Sequence, residues 1–404
     1  MNSNNPIRLN SIGQKYYSSG LVIAYLSMLS AFPALSTDLY LPALPGMAKL
    51  FGVSESLTNL TLISFFITYS VMSLIWGPIS DKIGRRPILI IGGGLYFISC
   101  IMCAIAPNVY FLIVARILQA AGGAAGTAMG TAIVKDVYHA GKREFVLSMV
   151  QSMNVICPTV APIFGAFLLT FTNWHGVFWT QAIFGAVVFI GAFFFTECIP
   201  EKLDVSLPAS MLRLWVVLKN KNFFILLLIF TALNASGMAF IGSSSYIYID
   251  FFGLSPQRYS FFFAFNALCM MGGPFIFMWL AKRVKRSSII TACLAIGLVS
   301  GLAVTVFADQ GPYIFALTLV PSFIASSCIK PPGMFLMLEQ QKGDTGSASS
   351  IIMSGFMVMG TFGIACAGFK VWDFAHLVGL ITAIVGIFSL ALWIPWNRKH
   401  PADK

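Results

Sequence analysis

Charge is scarce in this sequence: Asp, Glu, Lys and Arg make up 10% of its 404 residues, where a soluble domain carries about 25%. A chain this poor in charge has no means of covering its surface in water, so a soluble fold is excluded. Histidine is scarcer still, with four in all. His139, His175, His376 and His400 stand far apart, so the paired His, clustered Asp or nucleophile–base set of an integral-membrane enzyme is missing. No phosphate-binding loop is present either, because Gly92-Gly93-Gly94 lies inside an apolar run with no lysine after it. The repeated polar filters and charged rings of a channel do not occur. The eight cysteines fall almost entirely within apolar segments. Cys100 and Cys103 have no second pair or nearby histidine, so neither a disulfide framework nor zinc is indicated, and no metal or cofactor is expected.

What the chain does have is hydrophobic length. Apolar residues make up 58% of it, with 37 Phe and 18 Met. Apolar runs recur from Leu21 onward, each of the ~17–25 residues needed to cross a ~30 Å hydrocarbon core. Polar breaks divide them into spans near 20–43, 57–80, 88–106, 109–133, 145–171 and 176–197, then 222–247, 259–281, 287–308, 312–337, 346–369 and 374–396. The first is too long for a signal peptide and has no small-residue cleavage site before its polar loop. The expected architecture is an all-α polytopic membrane protein of twelve helices. Its expected parts are an N-terminal six-helix bundle (1–197), a polar central loop (198–221) and a C-terminal six-helix bundle (222–404).

Twelve spans put both termini on one side, and the basic residues say which. Of 25 Lys and Arg, Arg116 and Lys330 lie within spans, and only Lys49, Arg258 and Lys370 fall in loops opposite the N-terminus. The positive-inside rule therefore places the termini and central loop in the cytoplasm. It also accounts for the net charge of +11 without a nucleic-acid partner. A weak repeat joins the halves: the basic loop Lys82–Arg86 after span two recurs as Lys282–Arg286 after span eight.

Asp38 is the only one of fourteen acidic residues clearly within a span. An ionised carboxylate in hydrocarbon costs ~2.5–3.5 kcal/mol on insertion scales, and protonation removes that cost. Asp38 is thus either a proton carrier or a wet residue near the helix end. Arg116 stands ~10 Å into span four, at a depth similar to Asp38, with Gln119 on the same helix face. That face either looks into a central cavity, where Arg116 tunes Asp38, or braces helix packing. Lys330, before Pro331-Pro332, either attracts an anionic group or reaches the interface by snorkelling. Tyr40, Asn154, Asn234, Tyr246 and Asn266 are polar groups suited to an amphipathic pocket. Gly122, Gly126 and Gly130 form a small-xxx-small stripe for close helix approach. Pro158 and Pro162, with Gly165, permit a hinge or a fixed kink in span five.

Five segments carry a family resemblance. Gly77-Pro78-Ile79-Ser80-Asp81-Lys82-Ile83-Gly84-Arg85-Arg86 resembles the signature loop of the major facilitator superfamily. Arg116-Ile117-Leu118-Gln119-Ala120-Ala121-Gly122-Gly123-Ala124 resembles the fourth-helix motif of its drug:proton antiporters. Thr37–Pro45, Val134–Tyr138 and Ala161–Gly165 are similar to the bicyclomycin and chloramphenicol exporter branch. Three departures are visible: Pro158–Gly165 holds less glycine than the antiporter motif, Trp174-His175 stands where the branch usually has Trp-Arg, and the second-half loop Lys282–Arg286 lacks the Gly and Asp of the signature. The resemblance implies two six-helix bundles around a central site and proton-coupled export of small drug-like molecules by alternating access. It implies a proton-coupling role for Asp38 and Arg116, and a cytoplasmic gate at Gly77, Asp81, Arg85 and Arg86. Expected partners are a small-molecule substrate, protons and the lipid bilayer, with the chain a monomer. Proton-coupled uptake of a metabolite is the alternative that the cavity residues leave open.

Overall fold

The computed structural model describes residues 16–138, 140–198, 214–341, 345–368 and 372–400. Every regular element among them is helical. Span one is broken. Ser18 caps α1 (Ser19–Ser30), and the chain restarts at Pro33 as α2 (Phe32–Thr37), then as a short 3-10 turn and α3 (Leu44–Phe51). A proline stands in the first turn of each new piece, where its missing N–H costs nothing. The parts before and after Ala31 are bent by 45°. α4 (Glu55–Ile83), α5 (Arg85–Ala104), α6 (Val109–Val137), α7 (Ala140–Leu168) and α8 (Trp174–Phe194) complete the first half. Asn and Ser caps start most of these helices, satisfying amides that the bilayer cannot.

The second half comprises α9 (Lys221–Ser245), α10 (Pro256–Leu280), α11 (Arg286–Phe307), α12 (Pro312–Cys328), α13 (Lys330–Glu339), α14 (Thr345–Ala367) and α15 (Phe374–Lys399). α9 runs on into a π turn, Tyr246–Phe251. Span ten, α12 plus α13, is interrupted at Ile329, before Pro331-Pro332. Among the described residues ten helices are long and apolar enough to cross a membrane, and the bent pair of span one makes eleven. α7 adds a shorter apolar stretch, Ile156–Leu168, so the structure is roughly consistent with the expected twelve. The break in span one is the main departure from the expected spans, and proline follows the break in both span one and span ten. The expected central loop, 198–221, lies mostly outside the described residues.

The packing repeats itself six spans later. Span three packs on six as nine packs on twelve; two packs on four as eight on ten; one packs on five as seven on eleven. The halves meet through α4 against α14 and α7 against α10. Those are spans two with eleven and five with eight, pairs that exchange when the halves are swapped. Two six-helix bundles thus face each other about an approximate two-fold axis. Residues such as Ile183, Val306 and Tyr313 remain exposed around them, an apolar surface suited to lipid. In the small-residue stripe, a Cβ at Gly122 would come within 2.5 Å of the Tyr96 amide, and one at Gly126 would meet the Phe32 ring at the same distance. Gly130 has ordinary room, with Leu26 O at 3.6 Å, so close approach needs only the first two.

Candidate functional site

Asp38 caps the end of α2, where span one breaks up. It is 6% exposed. Thr37 Oγ1 donates to its Oδ1 at 3.0 Å, and its amide continues the helix to Ala34 O at 2.7 Å. No basic side chain among the described residues pairs with it. α7 closes tightly over the next residue: a Cβ on Gly165 would lie 1.9 Å from Leu39 O. Only glycine permits that approach. Beside it, Ser260 Oγ of α10 donates to Pro162 O at 2.9 Å. The proline pair in α7 and Gly165 therefore seat the Asp38 turn against span eight.

Arg116 is fully buried behind the same turn. Its Nη1 donates to Ser36 O at 2.7 Å and to Gln119 Oε1 at 2.5 Å. Gln119 Nε2 passes the network to Gln181 Oε1 at 2.7 Å, and Gln181 Nε2 reaches Leu35 O at 3.0 Å. The guanidinium lies over Phe65 (4.3 Å to the ring centroid) and Tyr40 (5.1 Å), a cation–π setting that offsets part of its desolvation. Its Nε and Nη2 make no hydrogen bond among the described residues. Arg116 thus reaches the α2 carbonyls two residues from Asp38 and does not contact the carboxylate. A cation there also complements the negative end of the helix. Tyr40 joins the cluster through its hydroxyl bond to Thr61, and Ser36 bonds Tyr96 at 2.8 Å.

The other expected cavity residues do not form one wall with these. Gln119 and Tyr40 are enclosed rather than facing open space. Tyr246 sits in the π turn, stacked on Phe374 at 5.3 Å. Asn266 is buried in α10. Asn234 Nδ2 donates to Phe356 O at 2.7 Å, and half-buried Lys330 holds its Nζ 5.8 Å above the Phe356 ring, so these two meet in the second half. The side chain of Asn154 lies outside the described residues.

At the face holding the described chain ends, Arg85 pairs with Asp81 (2.7 Å) and Asp136 (2.9 Å), and bonds Ser80. Glu197 accepts the Arg85 and Arg86 amides at 3.0 and 3.1 Å, capping α5. Gly84 turns there at φ 111°, against Glu197. Arg86 Nη2 donates to Phe193 O at 2.8 Å. Asp81 thus pairs within its own half, and Glu197 supplies the cap of α5. Gly77 has open space around it. Glu197, Asp136 and Gln181 escaped the sequence reading, although Asp136 stood in a quoted segment and Gln181 is a lone amide in an apolar helix. His175 Nδ1 meets Ala104 O at 2.6 Å, at the end of α5.

Polar contacts between the halves gather at the opposite face. Lys49 pairs with Asp250 at 2.6 Å, and Ser56 Oγ donates to Gly368 O at 2.6 Å. Gln257 and Ser260 reach Ala166 O and Pro162 O. Ser70 Oγ adds a mid-depth bond to Ser354 O at 3.2 Å. These hold the far face shut. The ion pair is exposed, with the Lys49 side chain 74% accessible, and such pairs contribute ~0–1 kcal/mol. Lys49→Glu is expected to speed thiol labelling of a far-face cysteine about two- to fivefold, and Asp250→Lys in that background to restore it. Equal labelling of all three proteins would remove the pair's role as a latch.

The sequence model described as Major Facilitator Superfamily matches residues 26–364. The "Bicyclomycin resistance protein homolog" of Haemophilus influenzae is 28% identical over 394 residues, 95% of this chain and 98% of that one. The "Chloramphenicol resistance protein" of Pseudomonas aeruginosa is 30% identical over 316 residues, 76% of this chain and 72% of that one. Among solved structures, a bacterial homologue of the human lysosomal transporter Spinster, inward-facing and unoccupied, shares the fold. Its TM-score is 0.75 at 14% identity, covering 96% of this chain and 99% of that one.

Proposed function

We propose that this chain, which belongs to the Major Facilitator Superfamily, exports small amphipathic drug-like molecules in exchange for protons. The carrying observation is Asp38: a lone interior carboxylate without a cationic partner among the described residues, at the break in span one. The resistance proteins among its relatives support the choice of cargo.

The terminal face is cytoplasmic on the positive-inside reading, in a bacterial inner membrane. With the far face latched, cargo enters from the cytoplasm or inner leaflet. Opening of the far face lets Asp38 take a proton from outside, which cancels the charge on a turn that Arg116 fixes through Ser36 O. Arg116 is a positioning residue: Gln119 and Gln181 hold the same turn through Leu35 O. The neutral carboxyl favours return to the state shut on the far face, where the proton leaves to the cytoplasm and cargo binds. Coupling follows because proton and cargo stabilise different conformations, and each shifts the population only by its differential affinity. Asp81, Arg85, Asp136 and Glu197 brace the cytoplasmic end of the first half between the two states.

The test is transport of chloramphenicol in proteoliposomes under an imposed pH gradient. Export coupling predicts drug movement against the proton flow and proton release when the drug is added. Drug and protons moving together would assign the chain to uptake instead.

A further inference from the structure

Among the described residues three charged side chains lie inside the spans away from their ends: Asp38, Arg116 and Lys330. The interior therefore carries one acid and two bases. Ion pairs among the described residues sit at span ends and use none of the three. The two bases differ in setting. Arg116 is committed to backbone carbonyl and glutamine oxygens and two aromatic faces. Lys330 has a single aromatic neighbour and is half-buried rather than enclosed.

Its position argues against a snorkelling lysine. Phe356 stands near the middle of α14, about 16 Å from the Thr345 end at ~1.5 Å per residue. An ammonium over that ring stays at membrane depth instead of running to the interface. The break at Ile329 starts α13 on Lys330, and the next two residues are prolines without N–H groups. Asn234 donates to Phe356 O, which ties α9 to the same stretch of α14. A charged residue at such depth costs several kcal/mol unless something answers it, and no carboxylate of the chain does so among the described residues.

Resting on the export reading, we infer that the cavity takes, besides neutral drugs, cargo carrying an anionic group, a carboxylate or phosphate, which binds Lys330 Nζ between α9, α13 and α14. With Arg116 committed to its own partners, Lys330 is the interior base left to answer a cargo's charge among the described residues, and it answers an anion. The same chemistry fits the headgroup of an anionic lipid, and the test separates the two sources.

The full chain in phosphatidylcholine nanodiscs is titrated with a dansylated aliphatic carboxylic acid, its primary amide and the matching amine. The acid is expected to bind about tenfold tighter than the amide, the yield of one charge-assisted hydrogen bond. Lys330→Gln should bring the acid to the amide's affinity and leave the amide unchanged, and Lys330→Arg should keep the preference. Repeating the titration with phosphatidylglycerol included identifies the source: competition with the acid in the natural chain alone assigns the site to a lipid headgroup, and its absence assigns it to cargo. Equal binding of acid and amide, tightest binding of the amine, or equal weakening of acid and amide by Lys330→Gln overturns the proposal. Nanodiscs carry no gradient, so this outcome is independent of the chloramphenicol and proton experiment.

Discussion

Asp38→Asn is expected to reduce drug-driven proton movement to the level of empty liposomes while drug-for-drug counterflow persists. The amide matches the carboxylate in size, and its Oδ1 still accepts the Thr37 hydroxyl that now donates to Asp38 at 3.0 Å. Only the ability to carry a proton is lost. Thermal stability should hold or rise, because the variant removes a buried charge whose cost is ~2.5–3.5 kcal/mol when ionised. Proton release by the variant on drug addition, at the natural rate, would falsify the assignment of coupling to Asp38. Loss of counterflow together with proton movement would mean that the turn itself, rather than its charge, had been damaged.

Gly165→Ala carries the second large effect. The added Cβ would lie 1.9 Å from Leu39 O and 2.9 Å from its carbonyl carbon. Both are backbone atoms, so no rotamer change relieves the clash and α7 must move away from the Asp38 turn. Overpacking of this kind costs about 1–3 kcal/mol, and here the displacement falls at the proposed proton site, so transport should fall further than stability. Gly363→Ala tests the symmetric contact, with Ala235 O at 2.0 Å. Gly130→Ala is the control, and melting within about 0.5 kcal/mol of the natural protein is expected. A Gly165→Ala protein that melts and transports like the natural one would show that α7 does not hold the turn.

The fold was legible because the bilayer imposes length and the charges mark the breaks. Each of the twelve spans can be read from hydrophobic runs bounded by loops such as Asp81–Arg86 and Lys282–Arg286. The interruptions were harder to read. Pro331-Pro332 pointed to a break in span ten and Pro33 marks the one in span one, but the π turn at Tyr246–Phe251 holds no proline or glycine to announce it. In the candidate site, Asp38 and Arg116 stood out because isolated charge is rare in an apolar chain. Their surroundings did not. Arg116 bonds Ser36 O, and a main-chain carbonyl has no side-chain signature. Its stacking partner Phe65 is one of 37 phenylalanines, and composition cannot choose among them. Glu197 reaches the α5 amides from more than a hundred residues away, a distance over which a single sequence gives no register.

The bonds that hold the far face shut are unequal in how they tolerate genetic drift. Ser56, Gln257 and Ser260 donate to the carbonyl oxygens of Gly368, Ala166 and Pro162. Every residue type supplies a carbonyl, so the accepting half of each bond survives substitution at its own position. The donors and the Lys49–Asp250 pair have no such protection. Variants that leak protons, and so tax the membrane potential of the host cell, should therefore arise from changes at the donors and only seldom at the acceptors.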